Sequence, residues 1–117
     1  MVLFISGCRV RKQYHDTVEL PEGTSLKTAT EIMMIVWNDN FAEKITKKFP
    51  SFDPIRNPSR YGLYLNCVEL GTAKKKGHTI FIRIEIKFAG SKPENAQEIL
   101  EYGKTIVEKA VENYFSK

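Results

Sequence analysis

Three charged side chains alternate with isoleucines in the most regular stretch of the chain. Residues 79–89 read T-I-F-I-R-I-E-I-K-F-A, so Arg83, Glu85 and Lys87 occupy every second position. Successive side chains of a β-strand point to opposite faces, and the pattern therefore predicts a strand with one apolar and one charged face. A carboxylate such as Glu85 can bind a divalent cation, so the spacing is compatible with metal-dependent chemistry. An ordinary solvated strand face gives the same alternation.

The segment of residues 85–97 extends this pattern towards a known signature. It reads E-I-K-F-A-G-S-K-P-E-N-A-Q and resembles the second half of the active-site motif of restriction-endonuclease-like nucleases. The resemblance implies that Glu85 is a magnesium ligand and that Lys87 positions or activates water. It also implies a role for Gln97 on the following helix. A metal-dependent nuclease with these three catalytic residues is therefore one alternative for this chain.

A metal site of that kind requires a second carboxylate close to Glu85. If residues 61–70 pair with the charged strand as an antiparallel hairpin, Tyr64 lies opposite Glu85. Glu69 is then five positions from Tyr64, about 16 Å away at roughly 3.3 Å per residue, which is too far to share an ion. We therefore expect the charged row to be a solvated strand face, with no catalytic residue, no metal ligand and no cofactor.

Positive charge is concentrated in the middle of the chain. The net charge is +4, but residues 45–92 carry ten Lys and Arg against three acidic residues. A basic surface favours an anionic partner, and phosphate recognition depends on Lys and Arg side chains. A second alternative is therefore a nucleic-acid-binding protein that uses the basic hairpin of residues 74–87. The side chains expected to bind the anion are Lys74, Lys75, Lys76, Arg83 and Lys87.

A further set of candidate residues is apolar. Residues 32–37 read I-M-M-I-V-W and are apolar all round a predicted helix. A helix without a polar face is buried on more than one side or meets a partner. We therefore expect a self-association interface in this segment. Its candidate residues are Ile32, Met33, Met34, Ile35 and Trp37.

The first half of the chain predicts strands followed by a helix. An apolar opening stretch and residues 17–20 are both typical of strands, and the polar residues 13–16 are expected to join them. Thr24 or Ser25 is the expected helix N-cap, because a hydroxyl accepts a backbone N–H of the first turn. Asn40 and the glutamate three residues later resemble a capping box, which predicts a kink or a second helix.

The second half predicts a hairpin and a long helix. Leu70 opposite Thr79 brings apolar side chains onto one face of both strands, over residues 61–70 and 79–88. The sequence S-K-P-E at residues 91–94 is a second capping box, and an apolar stripe follows it as far as Phe115.

These elements predict an α+β fold. The order is strand(s), helix, strand, strand, helix, within one domain of residues 1–117. Both helices need an apolar sheet face to cover. We therefore expect two layers, with an antiparallel sheet of three to four strands packed against two long helices.

The element order from residue 32 to residue 115 resembles that of phage tail-terminator proteins. The shared features are a helix ending near Phe49, the segment R-Y-G-L-Y-L at residues 60–65, a charged turn, the strand of residues 79–88 and a long closing helix. The resemblance implies subunits that assemble into a ring capping a tail tube.

Composition narrows the remaining classes. No run of about 18 uncharged apolar residues occurs, so we expect no membrane helix and no membrane partner. Cys8 and Cys67 lack the spacing of a zinc site. We expect an intracellular protein, cytoplasmic or, if viral, in the virion. The prediction is a non-enzymatic interaction or assembly module that forms a homo-oligomer.

Overall fold

The computed structural model describes residues 12–71, 78–90, 93 and 95–116 of the 117-residue chain. Three strands and three helices occur in these residues, in the order strand, helix, helix, strand, strand, helix. The elements are β1 (Lys12–Glu19), α1 (Leu26–Asn38), α2 (Phe41–Lys48), β2 (Tyr61–Gly71), β3 (His78–Phe88) and α3 (Ala96–Phe115).

The three described strands form one antiparallel sheet in the order β1-β3-β2. The strand with the charged row, β3, is therefore the central strand and pairs on both sides. Its register with β2 places Leu70 opposite Thr79 and Tyr61 opposite Phe88, which confirms the predicted hairpin. The prediction succeeded because a shift of the register by one residue would move the apolar side chains of one strand to the other face.

The core lies between the apolar face of this sheet and the helices α1 and α3. From β3 it receives a continuous row of buried isoleucines, which α1 and α3 cover with the apolar stripes of their own surfaces. The side chains that pack together include Ala29, Ile32, Val36, Ile80, Ile82, Ile84, Ile86, Ile99, Leu100 and Val107. The predicted α+β class is confirmed. In addition to the two predicted long helices, the described residues contain a third, short helix, α2.

Helix α1 begins as predicted, whereas α2 begins differently. Ser25 is the N-cap of α1, and its Oγ accepts the backbone N–H of Thr28 at 3.1 Å. Asn40 precedes α2 in the left-handed region, at φ 60°, and its side chain makes no capping hydrogen bond. The capping box predicted at Asn40 was therefore wrong, although the break between the two helices was correctly predicted. The second predicted capping box, at residues 91–94, lies largely outside the described residues.

The predicted connection at residues 13–16 was also wrong, because these residues lie inside β1 and pair with β3. Tyr14 stacks on Phe88 with ring centroids 5.7 Å apart, and Val18 is buried in the core. Between them, His15 and Thr17 lie on the opposite face, while the polar Asp16 shares the face of Tyr14 and Val18. A run of polar residues of this kind resembles a turn when the partner strand is not known. The opening stretch, residues 1–11, lies outside the described residues.

Candidate functional site

The charged row of β3 is buried rather than solvated. Only 5% of Glu85 and 7% of Lys87 is exposed. The Lys87 Nζ lies 3.6 Å from the Glu85 Oε1, so the two side chains form an ion pair along the strand. The predicted solvated face was therefore wrong at these two positions. One physical reason is that β3 has a neighbouring strand on each side, which removes solvent from its flanks.

An aromatic ring contributes to the burial of Lys87. Tyr64 lies opposite Glu85 on β2, as predicted, and its ring centroid is 5.2 Å from the Lys87 Nζ, a cation–π contact. Gly62, which is opposite Lys87, makes room for this ring. A Cβ atom at Gly62 would lie only 2.6–2.9 Å from the Tyr64 side chain. The missing side chain at Gly62 therefore allows Tyr64 to lie across the strand.

The residues around Glu85 do not assemble a pair of carboxylates. On β1 the residue opposite Glu85 is His15, and Asp16 is opposite Ile84 on the other face. Asp16 instead contacts the Lys104 Nζ of α3 at 3.7 Å. Within the described residues, no three His, Cys, Asp or Glu side chains are grouped closely enough to hold a metal ion.

The third residue of the proposed nuclease set lies elsewhere. Gln97 is an exposed residue in the first turn of α3. Helix α3 covers the apolar face of the sheet, because Ile84 lies within 3.5 Å of where a Cβ of Gly103 would be. Glu85 alternates with Ile84 and therefore points to the opposite face. The structure thus places Glu85 and Lys87 side by side on one face of the sheet. Gln97 lies in the helical layer on the other face.

The basic residues of the hairpin are only partly described. Lys74, Lys75 and Lys76 lie outside the described residues, and Lys87 is buried beside Glu85. Arg83 is half-buried, and its Nε is enclosed without a hydrogen-bond partner among the described residues. Phosphate contacts need cationic groups that reach solvent, so this geometry does not favour Lys87 as a phosphate ligand.

A second feature is an apolar groove between α1 and β2, with a volume of about 370 Å³. We refer to it as the α1–β2 groove. Helix α1 contributes methionine and tryptophan side chains to one wall, and β2 contributes leucines and a tyrosine to the other. The lining residues are Met33, Met34, Trp37, Leu63, Tyr64 and Leu65.

The predicted interface residues divide into three environments. Ile32 is fully buried in the core, whereas Met34 is 46% exposed and Trp37 is 41% exposed. Met34 and Trp37 both line the α1–β2 groove. Ile35 is also exposed, but it lines a different groove between α1 and α3. Met33 is half-buried at the base of the α1–β2 groove.

The thiol of Cys67 lies beside Met33 of the α1–β2 groove, and Cys67 also packs against the core. Its Sγ lies 3.9 Å from the Met33 Sδ. Burial raises the pKa of the Cys67 thiol above its ordinary value, and a hydrogen bond with Thr30 opposes that shift. A raised pKa leaves less thiolate at neutral pH, which does not favour Cys67 as a nucleophile.

The outer edge of β2 borders the α1–β2 groove. Among the described residues, β3 lies on one side of β2 and no strand lies on the other. The Ala89 N–H donates to the Arg60 C=O at 2.9 Å, which extends the β2–β3 ladder by one residue pair. Backbone groups alternate in direction along an antiparallel strand. The N–H and C=O groups of Leu63, Leu65 and Cys67 therefore point outward, away from β3.

Sequence reasoning missed this edge because it did not place β3 in the centre of the sheet. One signal was present, since β3 is the most regularly apolar strand and a central strand buries more of its surface than an edge strand. The charged residues of the 12–19 segment are typical of a protected edge strand, which also indicated that β3 lies in the centre.

Comparison with protein-family models, with curated proteins and with solved structures finds no match to this chain. The resemblances to tail-terminator proteins and to nucleases therefore stay predictions. Over the described part of the chain, every helix is too short or too polar to span a bilayer. The structural features that bear on function are the buried ion pair, the α1–β2 groove and the outer edge of β2.

Proposed function

We propose that this protein is a non-enzymatic assembly module that self-associates through the α1–β2 groove, with a second copy of the chain as its partner. The observation that carries the proposal is the exposure of Met34 and Trp37 beside an apolar groove. Contiguous exposed apolar surface marks interaction sites in soluble proteins. Tryptophan is enriched among the residues that dominate interface energies, and methionine adapts its shape to a partner.

The partner is a second copy because of the chemistry of the groove and its border. The groove walls carry no charged side chain, so they do not select a charged peptide or a nucleic acid. Among the described residues no strand pairs with the outer edge of β2, and an identical β2 edge satisfies its backbone groups with the same apolar side chains facing each other.

The buried ion pair supports the non-enzymatic part of the proposal. Glu85 has its charge compensated by Lys87, and the residues opposite it on the two flanking strands are His15 and Tyr64. Magnesium in phosphate-cleaving enzymes is held by one or two carboxylates, and Glu85 is already paired with Lys87. The pair is more simply a structural ion pair of the sheet, with the Tyr64 ring in contact with the Lys87 ammonium.

Two variants of neighbouring residues test the proposal. Met34→Lys places a charge in the α1–β2 groove, and Ile35→Lys places the same charge one residue further, in the groove between α1 and α3. Both positions are about half exposed, so both variants are expected to fold. In light scattering, the parent protein should exceed the 13.5 kDa monomer mass, and so should Ile35→Lys.

Met34→Lys should have the mass of the monomer, because a buried unpaired charge opposes association. Circular dichroism confirms that both variants keep the fold. A parent protein with the monomer mass across the accessible concentration range would overturn the proposal. Equal masses for the two variants would overturn the assignment to this groove.

The phage role is the finer form of the proposal. A tail-terminator-like subunit would assemble into a ring, which requires two different surfaces on each subunit. Such a ring predicts a mass of several subunits, whereas the α1–β2 groove alone predicts a dimer. The mass from light scattering separates these two forms.

A further inference from the structure

We propose that β2 pairs with β2 of a second copy, antiparallel across a two-fold axis at Leu65, to form a continuous six-stranded sheet. This inference rests on the proposed self-association and adds its geometry. It specifies the element that is shared, the direction of pairing and the register.

The two edges of the sheet differ in how well they resist pairing. Natural proteins protect edge strands with charged side chains, with proline or with short length. Of the eight described residues of the edge strand β1, three are charged: Lys12, Asp16 and Glu19. Of the eleven described residues of the edge strand β2, one is charged, Glu69, and none is proline. The edge that lacks protection is the one beside the apolar groove.

The backbone of β2 is oriented for this pairing. The N–H and C=O groups of the odd-numbered residues point away from β3, as the bond between Ala89 and Arg60 requires. A second copy of β2 presents the same odd-numbered groups from its own side. The two strands can therefore complete a ladder without any change in their pairing with β3.

Symmetry limits the possible registers. A two-fold axis perpendicular to the sheet keeps each side chain on its own face, and opposed residues of a ladder share a face. Opposed residues must therefore both be odd-numbered or both be even-numbered. Placing the axis at Leu65 uses the strand from Tyr61 to Glu69, with Leu63 opposite Cys67 of the second copy.

Charge complementarity favours this register over the one centred on Asn66. With the axis at Leu65, Glu69 of one copy lies opposite Tyr61 of the other. The Arg60 guanidinium stacks over the ring of Tyr61, 5.5 Å from its centroid. Each Glu69 therefore meets a positive charge at the ends of the paired strands. Moving the axis to Asn66 would instead place Glu69 opposite the apolar Leu63.

The same arrangement covers the α1–β2 groove. All helices of both copies lie on one side of the continuous sheet, because the axis is perpendicular to it. The two α1 helices then lie on either side of the axis, and Met34 and Trp37 face the second copy. One geometry thus satisfies the β2 edge and buries the exposed side chains of α1.

Disulfide trapping reads the register directly. In a Cys8→Ser, Cys67→Ala background, Leu65→Cys places a thiol opposite the same thiol of the second copy. The Cα atoms of a hydrogen-bonded antiparallel pair are about 5.5 Å apart, within the range that a disulfide bridges. Under mild oxidation we expect covalent dimer as the main product for Leu65→Cys. Asn66→Cys, which marks the neighbouring register, and Ile55→Cys, an exposed loop position, should give only traces.

A second variant uses the native thiol. In the Cys8→Ser background, Leu63→Cys lies opposite Cys67 of the second copy, so it should also form covalent dimer. The same variant with Cys67→Ala should not. This pair keeps the test decisive if Leu65→Cys fails to fold.

The outcomes separate the geometry from the function. A parent protein that self-associates, with no covalent dimer from Leu65→Cys or Leu63→Cys, would overturn the strand pairing and leave the proposed function standing. More dimer from Asn66→Cys than from Leu65→Cys would overturn the register. A monomeric parent protein would overturn both the proposed function and this inference.

Discussion

At the scale of single residues, the pair of Glu85 and Lys87 is notable because both charged side chains are buried. Removing charged groups from water is costly, and mutual attraction offsets that cost only while both partners are present. The distance of 3.6 Å between Lys87 Nζ and Glu85 Oε1 and the Tyr64 ring over the ammonium provide that compensation. The pair is therefore a point where a single substitution leaves an uncompensated charge inside the sheet.

We expect Lys87→Met to lower the free energy of unfolding by about 3 kcal/mol, because Glu85 then remains buried without its partner. Urea unfolding at neutral pH, followed by circular dichroism, measures the change. The matched control is Glu85→Gln with Lys87→Met, in which the buried charge is gone. This double variant should recover most of the loss. A double variant less stable than Lys87→Met would contradict the role assigned to the pair.

The burial of this pair could not be predicted from the sequence. Alternation indicates that Arg83, Glu85 and Lys87 share a face, but it does not indicate what lies over that face. The answer depends on β3 being central and on Tyr64 lying across Gly62, and both are tertiary features. The residue opposite Glu85 on β2 was predicted correctly, because it follows from the hairpin register alone.

At the scale of elements, two local signals succeeded where the partner lies nearby in sequence, although the capping box at Asn40 was wrong. The β2–β3 register and the Ser25 cap depend on residues close together in the chain, and both are confirmed. Strand β1 pairs with β3, which is more than sixty residues away, and its polar alternation was interpreted as a connection. Long-range pairing therefore set the limit of what the sequence predicts here.

Helix α3 contains a glycine that its packing does not require. A Cβ at Gly103 would lie 3.4 Å from the ring of Phe41 and 3.5 Å from Ile45 and Ile84, which is ordinary van der Waals contact. Glycine inside a helix costs up to about 1 kcal/mol relative to alanine. We expect Gly103→Ala to raise the free energy of unfolding by about 0.5–1 kcal/mol, measured as a higher urea midpoint.

The reverse substitution on the same helix is the control for that prediction. Ala110→Gly, at a half-buried position of α3, should lower the urea midpoint by a similar amount. A lower midpoint for Gly103→Ala would mean that the contact between α3, α2 and the sheet is tighter than the distances indicate. In that case the glycine would be a packing requirement.

At the scale of the whole molecule, the described helices form one layer over one face of a three-stranded sheet, and the exposed Met34 and Trp37 lie beside its β2 edge. Small sheets with a long uncharged edge are prone to pair with other chains. The proposed dimer would convert that liability into a defined interface, since it would satisfy the β2 edge and leave β1, with its charges, at the outside. The two edges of the same sheet would then have different roles.

The proposed self-association would couple stability to concentration, because a dimeric folded state unfolds to separate chains. A tenfold increase in protein concentration adds about 0.7 kcal/mol per subunit, which for a chain of this size raises the thermal midpoint by roughly 3 °C. We expect this rise for the parent protein and for Ile35→Lys, measured by circular dichroism over two orders of magnitude in concentration. Met34→Lys should unfold at a constant temperature. A constant midpoint for the parent protein, or a rise that persists in Met34→Lys, would show that the α1–β2 groove does not hold the subunits together.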